Sequence, residues 1–305
     1  MAGRNYEVYD VFTDKVLAGN PLAIVHDTDG LDSEAMQKIA REFNLSETVF
    51  VLAAKNPAHT AWARIFTPDY EMPFAGHPTV GTAISLAQRR FGAVEEDQDA
   101  LIILEEQVGP VRCGVRLTAS GAFAEFDLPK LPVQIPYNYD RIAIANALRL
   151  EPREIGFENH VPSIWDAGVP FMMVPVHGLE SAGRIRINQT AMKDVAPTIG
   201  HRQLPVYCYC RETILHDSHF HSRMFVSDDG TYEDPATGSA TAAFAGAIHA
   251  FDRPLDGVLR LSIEQGHEMG RPSRLQLELD IAEEKLLSAR IGGSAVKIAE
   301  GRLFA

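Results

Sequence analysis

Two short segments carry the residues best placed to do chemistry. EMPFAGHPT, residues 71–79, and EDPATGSAT, residues 233–241, share the pattern E-x-P-x-x-G-x-x-T. In each, a Pro-x-x-Gly turn runs straight into a stretch of helical character. In the first, Gly76 supplies conformational freedom, His77 falls at or near the N-cap, and Pro78 suits the first helical position. In the second, Gly238 is followed by Ser239, a strong N-cap residue, and then by the Ala-rich run ATAAFAGAIHA. The first turn of a helix leaves backbone N–H groups unpaired and carries partial positive charge. Two such starts, facing one cleft, would hold a carboxylate without metal or arginine and would stabilise negative charge developing on it. Gly76, Gly238 and Ser239 would form that cradle, with His77 and Asp234 as the polar groups beside it.

The two segments differ where chemistry would differ. His77 in one corresponds to Ser239 in the other, and Met72 to Asp234. A purely structural cap tolerates the same residue twice. Divergence at matched positions is what a single asymmetric site requires.

The elements around these turns repeat. Alternating, β-branched runs predict strands at 6–12, 22–25, 48–52 and 60–66, then a helix from 80 to 89 and three strands between 101 and 128. A further helix is expected after Asp32 or Ser33, with Ile39 and Phe43 on its apolar face. LPKLPVQIPYNYD, residues 128–140, has three prolines and no period, and reads as a linker. Beyond it come a helix at 141–148, strands at 171–176, 206–211 and 220–226, a helix at 239–251, and strands at 258–262 and 275–279. Many strands with few helices argue for α+β packing.

Letters repeat as well as elements. GNPLAIV at 19 parallels GVPFMMV at 168, RIF at 64 parallels RMF at 223, the turn at 71 parallels that at 233, and Glu-Gln at 106 parallels Glu-Gln at 264. The offsets are 149, 159, 162 and 158 residues, in one order. Four matches in register point to duplication. At 305 residues the chain suits two cores of about 150 each. We expect a first lobe at 1–128 to which 290–305 returns, and a second lobe at 129–289.

Composition narrows the function classes. With 46% apolar and 23% charged residues the chain is an ordinary folded protein. A net charge of −13 repels phosphate backbones and anionic membranes, so neither nucleic acid nor membrane is an expected partner. Three cysteines, none in a CxxC pair, make no disulfide framework. A reducing cytoplasm is expected, since the N-terminus shows no leader pattern. HDSHFHSR at 216–223 lacks ligand spacing for a metal and reads as a surface strand. No metal site is expected. Gly292–Gly293 lacks dinucleotide-loop spacing.

NLSETVF at 44–50, TPDYEMPFAGHPTVGTA at 67–83, YEDPATGSA at 232–240 and EMGRPS at 268–273 together resemble the PhzF family of phenazine-biosynthesis-like isomerases. The resemblance covers nearly the whole chain. It implies the diaminopimelate epimerase-like fold, two pseudo-symmetric lobes, each a curved sheet around a central helix. It also implies a homodimer in the cytoplasm and a site lined by His77, Asp234 and Ser239. Glu47 becomes the acid/base by this resemblance alone. It would take a proton from one carbon of a small carboxylic acid, dihydro-hydroxyanthranilate-like, and return it to another. Burial would raise its pKa toward neutrality and suit both roles. No cofactor is required. Related epimerases use two cysteines, and no cysteine lies in either turn here. An epimerase working without thiols, or a binding protein without catalysis, stand as the alternatives.

Overall fold

The computed structural model describes residues 3–199, 202–226 and 232–305. The chain divides into two compact units, Met1–Pro129 with Ile291–Ala305, and Lys130–Arg290.

The first unit opens with β1 (Arg4–Val11), β2 (Asn20–Val25), α1 (Ser33–Phe43), β3 (Glu47–Leu52), β4 (Ala61–Phe66) and β5 (Glu71–Met72). Then come α2 (Gly76–Phe91), β6 (Gln98–Glu106), β7 (Gly109–Thr118) and β8 (Gly121–Asp127). The second unit begins with β9 (Val133–Ile135), α3 (Arg141–Leu148), β10 (Ser163–Asp166), β11 (Pro170–Pro175), α4 (Leu179–Arg184) and α5 (Gln189–Val195). It continues with β12 (Thr198–Ile199), β13 (Arg202–Gln203), β14 (Val206–Cys210), β15 (Phe220–Val226) and β16 (Tyr232–Asp234). Last come α6 (Gly238–Asp252), β17 (Gly257–Gln265), β18 (Ser273–Ala282) and β19 (Lys285–Leu303). The C-terminal part of β19 pairs antiparallel with β1, from Ala295 opposite Val11 to Leu303 opposite Arg4.

Each unit is built around one helix buried on nearly every side. α2 packs on β1, β2, β3, β6, β7 and β8, and α6 on β9, β10, β11 and β18. Their composition allows it. α2 after Pro78 and the middle of α6 are rich in Ala, Gly, Ser and Thr, whose small side chains let strands approach closely. α1 is different: Met36, Ile39 and Ala40 are buried, Phe43 packs beside them, and its charged residues face water.

Strand pairings in the two units correspond residue by residue. β2 and β3 run parallel with Ala23 beside Thr48, and β11 and β14 run parallel with Met172 beside Val206. β3 then pairs Thr48 with Phe66, as β14 pairs Val206 with Phe225. β4 sets Ile65 beside Met72, and β15 sets Met224 beside Asp234. Trp62 lies beside Glu105, and His221 beside Glu264.

That last pairing corrects one sequence match. The counterpart of Glu264 is Glu105, not Glu106. Glu105 accepts from the backbone N–H groups of Lys55 and Asn56 and contacts His59. Glu264 accepts from those of Ile214 and Leu215 and contacts His221. Glu106 therefore corresponds to Gln265.

Two other expectations change. Val133–Ile135, inside the supposed linker, is a strand paired with β10, because its backbone N–H and C=O groups complete an open sheet edge. The HDSHFHSR segment is not a surface strand from Phe220 onward. His221 is fully buried between Glu264 and Glu268, at 2.8 and 3.0 Å, and these carboxylates push its pKa up to about 9 against the cost of burial.

Candidate active site

α1, α3 and α5 begin with the side-chain caps Asp32, Asp140 and Asn188. α2 and α6 do not. Their N-caps are Ala75 and Thr237, without a capping hydrogen bond from the side chain, and neither first turn contains an acid. The cap thus falls two residues before Ser239, which the sequence offered as a cap, and two before His77, which it placed at or near one. Both lie inside the first turn, one residue beyond the opening glycine. The positive ends of the two central helices thus keep their partial charge uncompensated by a cap.

In the first unit, the turn before α2 is tied down by an ion pair. Arg64 on β4 binds Glu71 in a bidentate fork, with Nε and Nη2 at 2.8 and 2.7 Å from its oxygens. Arg223 and Glu233 repeat the fork in the second unit, at 2.8 Å for both contacts. The Glu of each E-x-P motif is therefore a structural anchor, freeing the residues after it for other duties.

His77 is buried beneath the start of α2, 4% exposed. Its Nδ1 lies 3.2 Å from Oε2 of Glu47 and 3.4 Å from Nδ2 of Asn20, and the ring also bonds the Pro21 backbone, whose only polar group is its carbonyl. Burial drives the pKa of His77 down to about 3, so the imidazole is neutral at physiological pH. The approach of Glu47 is then a polar contact between a carboxyl and a neutral ring rather than an ion pair. Nε2 of His77 is buried and has no hydrogen-bond partner among the described residues. A buried polar atom left open in this way marks a place for an occupant.

Glu47 is the first residue of β3, half-buried, and parallel pairing puts it beside Leu22. The register that matches Thr48 to Val206 matches Glu47 to Pro205. The second unit therefore has no acid at this place. Sequence reading did not pick out Asn20, assigned only to a turn. It is fully buried at the start of β2, where a polar side chain in a core-facing position was the available signal.

The second unit holds Asp234, Gly238 and Ser239 in one turn. The Thr237 hydroxyl donates to Asp234. The Gln265 amide donates to the Asp234 carbonyl at 2.7 Å and to the Thr237 hydroxyl at 3.1 Å, and accepts from the Thr237 N–H at 3.2 Å. Asp234 is 6% exposed.

The cysteines lie elsewhere. Cys113, Cys208 and Cys210 are buried, and burial pushes their thiols up, to about 12 for the latter two. Among the described residues no group of His, Cys, Asp and Glu has the arrangement of a metal site.

Comparison with known proteins identifies this scaffold. The family model described as phenazine biosynthesis-like protein, PhzC-PhzF, matches residues 9–301. The chain belongs to that family. An uncharacterized isomerase of Mesorhizobium japonicum is 58% identical over 305 residues, covering all of both chains. Trans-2,3-dihydro-3-hydroxyanthranilate isomerase of Pseudomonas aeruginosa is 33% identical over 301 residues, covering 98% of this chain and 99% of that one. The crystal structure of a PhzF-family phenazine biosynthesis protein from Bacillus anthracis superposes with a TM-score of 0.85 at 27% identity over the full length of both chains. The protein is an isomerase of the PhzF family. No helix among its described residues is long and apolar enough to cross a membrane.

Proposed function

We propose that this PhzF-family member shifts a proton between carbons of a small carboxylic acid, with Glu47 as the acid/base. The observation that carries the reading is the Glu47–His77 contact beneath an uncapped helix start. A carboxyl group stands 3.2 Å from a neutral imidazole whose other nitrogen is open. The relative from Pseudomonas aeruginosa acts on trans-2,3-dihydro-3-hydroxyanthranilate, and a cyclic amino acid of that kind is the substrate class we assign.

In this scheme the ionised Glu47 accepts a proton from a substrate carbon. The electron pair left behind delocalises toward the substrate's conjugated system, and Glu47 returns the proton to a different carbon. Nothing is oxidised or reduced, and no external base is consumed. The backbone N–H groups at the Gly76 helix start hold the substrate carboxylate and oppose the charge that builds on it. His77, being neutral with its one N–H on the Pro21 carbonyl, presents Nε2 to the substrate as a hydrogen-bond acceptor. The buried, high-pKa thiols argue against the two-cysteine chemistry of related epimerases.

The test is solvent-deuterium incorporation into trans-2,3-dihydro-3-hydroxyanthranilate. Wild-type protein should label it while converting it, and Glu47→Gln should slow both by about 10²–10⁴-fold with an unchanged circular dichroism spectrum. Undiminished exchange in Glu47→Gln would remove Glu47 from the role. Exchange accompanied by loss of optical activity, without movement of the double bonds, would indicate epimerisation instead.

A further inference from the structure

Glu106 ends β6 on its core side. Ile102, Leu104 and Glu106 alternate as buried residues along the strand, so a carboxyl group occupies a position where the pattern calls for an apolar one. It is 6% exposed and packs beneath the first turn of α2. Its Oε1 lies 2.7 Å from the Thr79 hydroxyl, and that hydroxyl lies 2.7 Å from the carbonyl oxygen of Ala75, the N-cap residue of α2.

A hydroxyl carries one proton, and a carbonyl can only accept. Thr79 must therefore donate to Ala75. The short contact with Glu106 then needs its proton from the carboxyl. The other oxygen, Oε2, is buried and has no hydrogen-bond partner among the described residues, a state costly for a carboxylate and mild for a neutral acid.

The duplication supports the same protonation state. Glu106 corresponds to Gln265, whose amide both donates and accepts in clamping the turn before α6. A protonated carboxyl is the side chain closest in shape and bonding to that amide. Unlike it, a carboxyl can ionise.

We infer that Glu106 is a positioning residue that keeps its proton at neutral pH, holds the N-cap of α2 in shape through Thr79, and on losing that proton sets the upper pH limit for anion binding at this helix start. The anion-binding part rests on the function proposed above. Ionisation would leave the single Thr79 proton to serve either Ala75 or Glu106, and would place a negative charge against the helix end meant for a carboxylate. Thr79 faces Glu106 from α2, and the buried Cys113 feels it from β7, with Asp127 of β8 acting on the same thiol. Among the described residues no cation pairs with Glu106, and burial raises its pKa to about 8.

Three measurements test this. In protein labelled with ¹³C at Glu carboxyls, the Glu106 resonance, assigned by its loss in Glu106→Gln, should titrate near pH 8. A midpoint below pH 6 overturns the inference. Second, the unfolded chain releases this proton above about pH 4.5 while the native state keeps it to about 8. Wild type should therefore lose thermal stability relative to Glu106→Gln as pH rises through that window, and the gap should level off above it. A gap independent of pH overturns the inference. Third, binding of 2-aminobenzoate should weaken about tenfold between pH 7.5 and 9 in wild type and stay level in Glu106→Gln. An equal decline in both overturns the pH limit. Absence of 2-aminobenzoate binding at every pH would instead count against the helix start as a carboxylate site, while the first two measurements still decide the proton.

Discussion

At the scale of single residues, burial opposes charge on two side chains beside the start of α2. His77 is the clearest case. Its folded pKa of about 3 lies below the ordinary 6.5, so the unfolded chain takes up a proton that the native state refuses. Stability tied to His77 is therefore complete above pH 6.5 and lost as pH falls toward 3. Thermal melts should show wild type losing ground to a His77→Asn variant as pH drops from 7 to 4, and the His77 ring nitrogens should show no protonation by NMR at pH 5. A ring that titrates near 6 would remove the neutral hydrogen-bonding role. Sequence reading found His77 because it stands beside a glycine and a proline that mark a helix start. It passed over Asn20 and Glu106, since a polar residue on a core-facing position signals function only once its partners are known. Glu47 came from resemblance; no local pattern distinguishes a glutamate at the head of a strand.

Elements show why the two central helices tolerate so little change. A Cβ on Gly246 of α6 would fall 2.3 Å from the Trp165 ring and 2.9 Å from Pro132. On Gly81 of α2 it would meet Leu22 Cδ2 at 2.6 Å and Val11 Cγ2 at 2.8 Å, the far ends of aliphatic side chains. An indole ring yields less readily than a methyl group. Gly246→Ala should cost about 1–3 kcal/mol and Gly81→Ala less, read as a shift in urea midpoint with unchanged slope. Equal costs would mean that Trp165 can move. The helices themselves were legible, as Ala-rich or Pro-started runs after turn residues. Their caps were not, because Ala75 and Thr237 are fixed by the extended backbone of the preceding turn, and the forks Arg64–Glu71 and Arg223–Glu233 hold that turn.

For the whole molecule, the consequence lies in where the chain ends. Unit one is discontinuous, closed by pairing of β1 with the last strand, while unit two is one continuous stretch with its own core of Ile144, Leu148, Val174 and neighbours. Deleting residues 291–305 should strip hydrogen-exchange protection from the β1 and β2 amides and leave protection in β14, β15 and α6 largely intact. Loss of protection throughout would show that the two units fold only together. The sequence by itself determined the duplication, the strand-rich class, the paired turns and the residues offered there, because periodicity, turn chemistry and repeated letters are local properties that survive in a one-dimensional reading. The tertiary structure alone decided which residues meet. It set Glu47 against His77, matched Glu106 to Gln265 rather than to its neighbour, buried His221 between two carboxylates, and left α2 and α6 uncapped. Each of these depends on burial and on register between strands distant in the chain, and neither quantity is carried by any short segment of it.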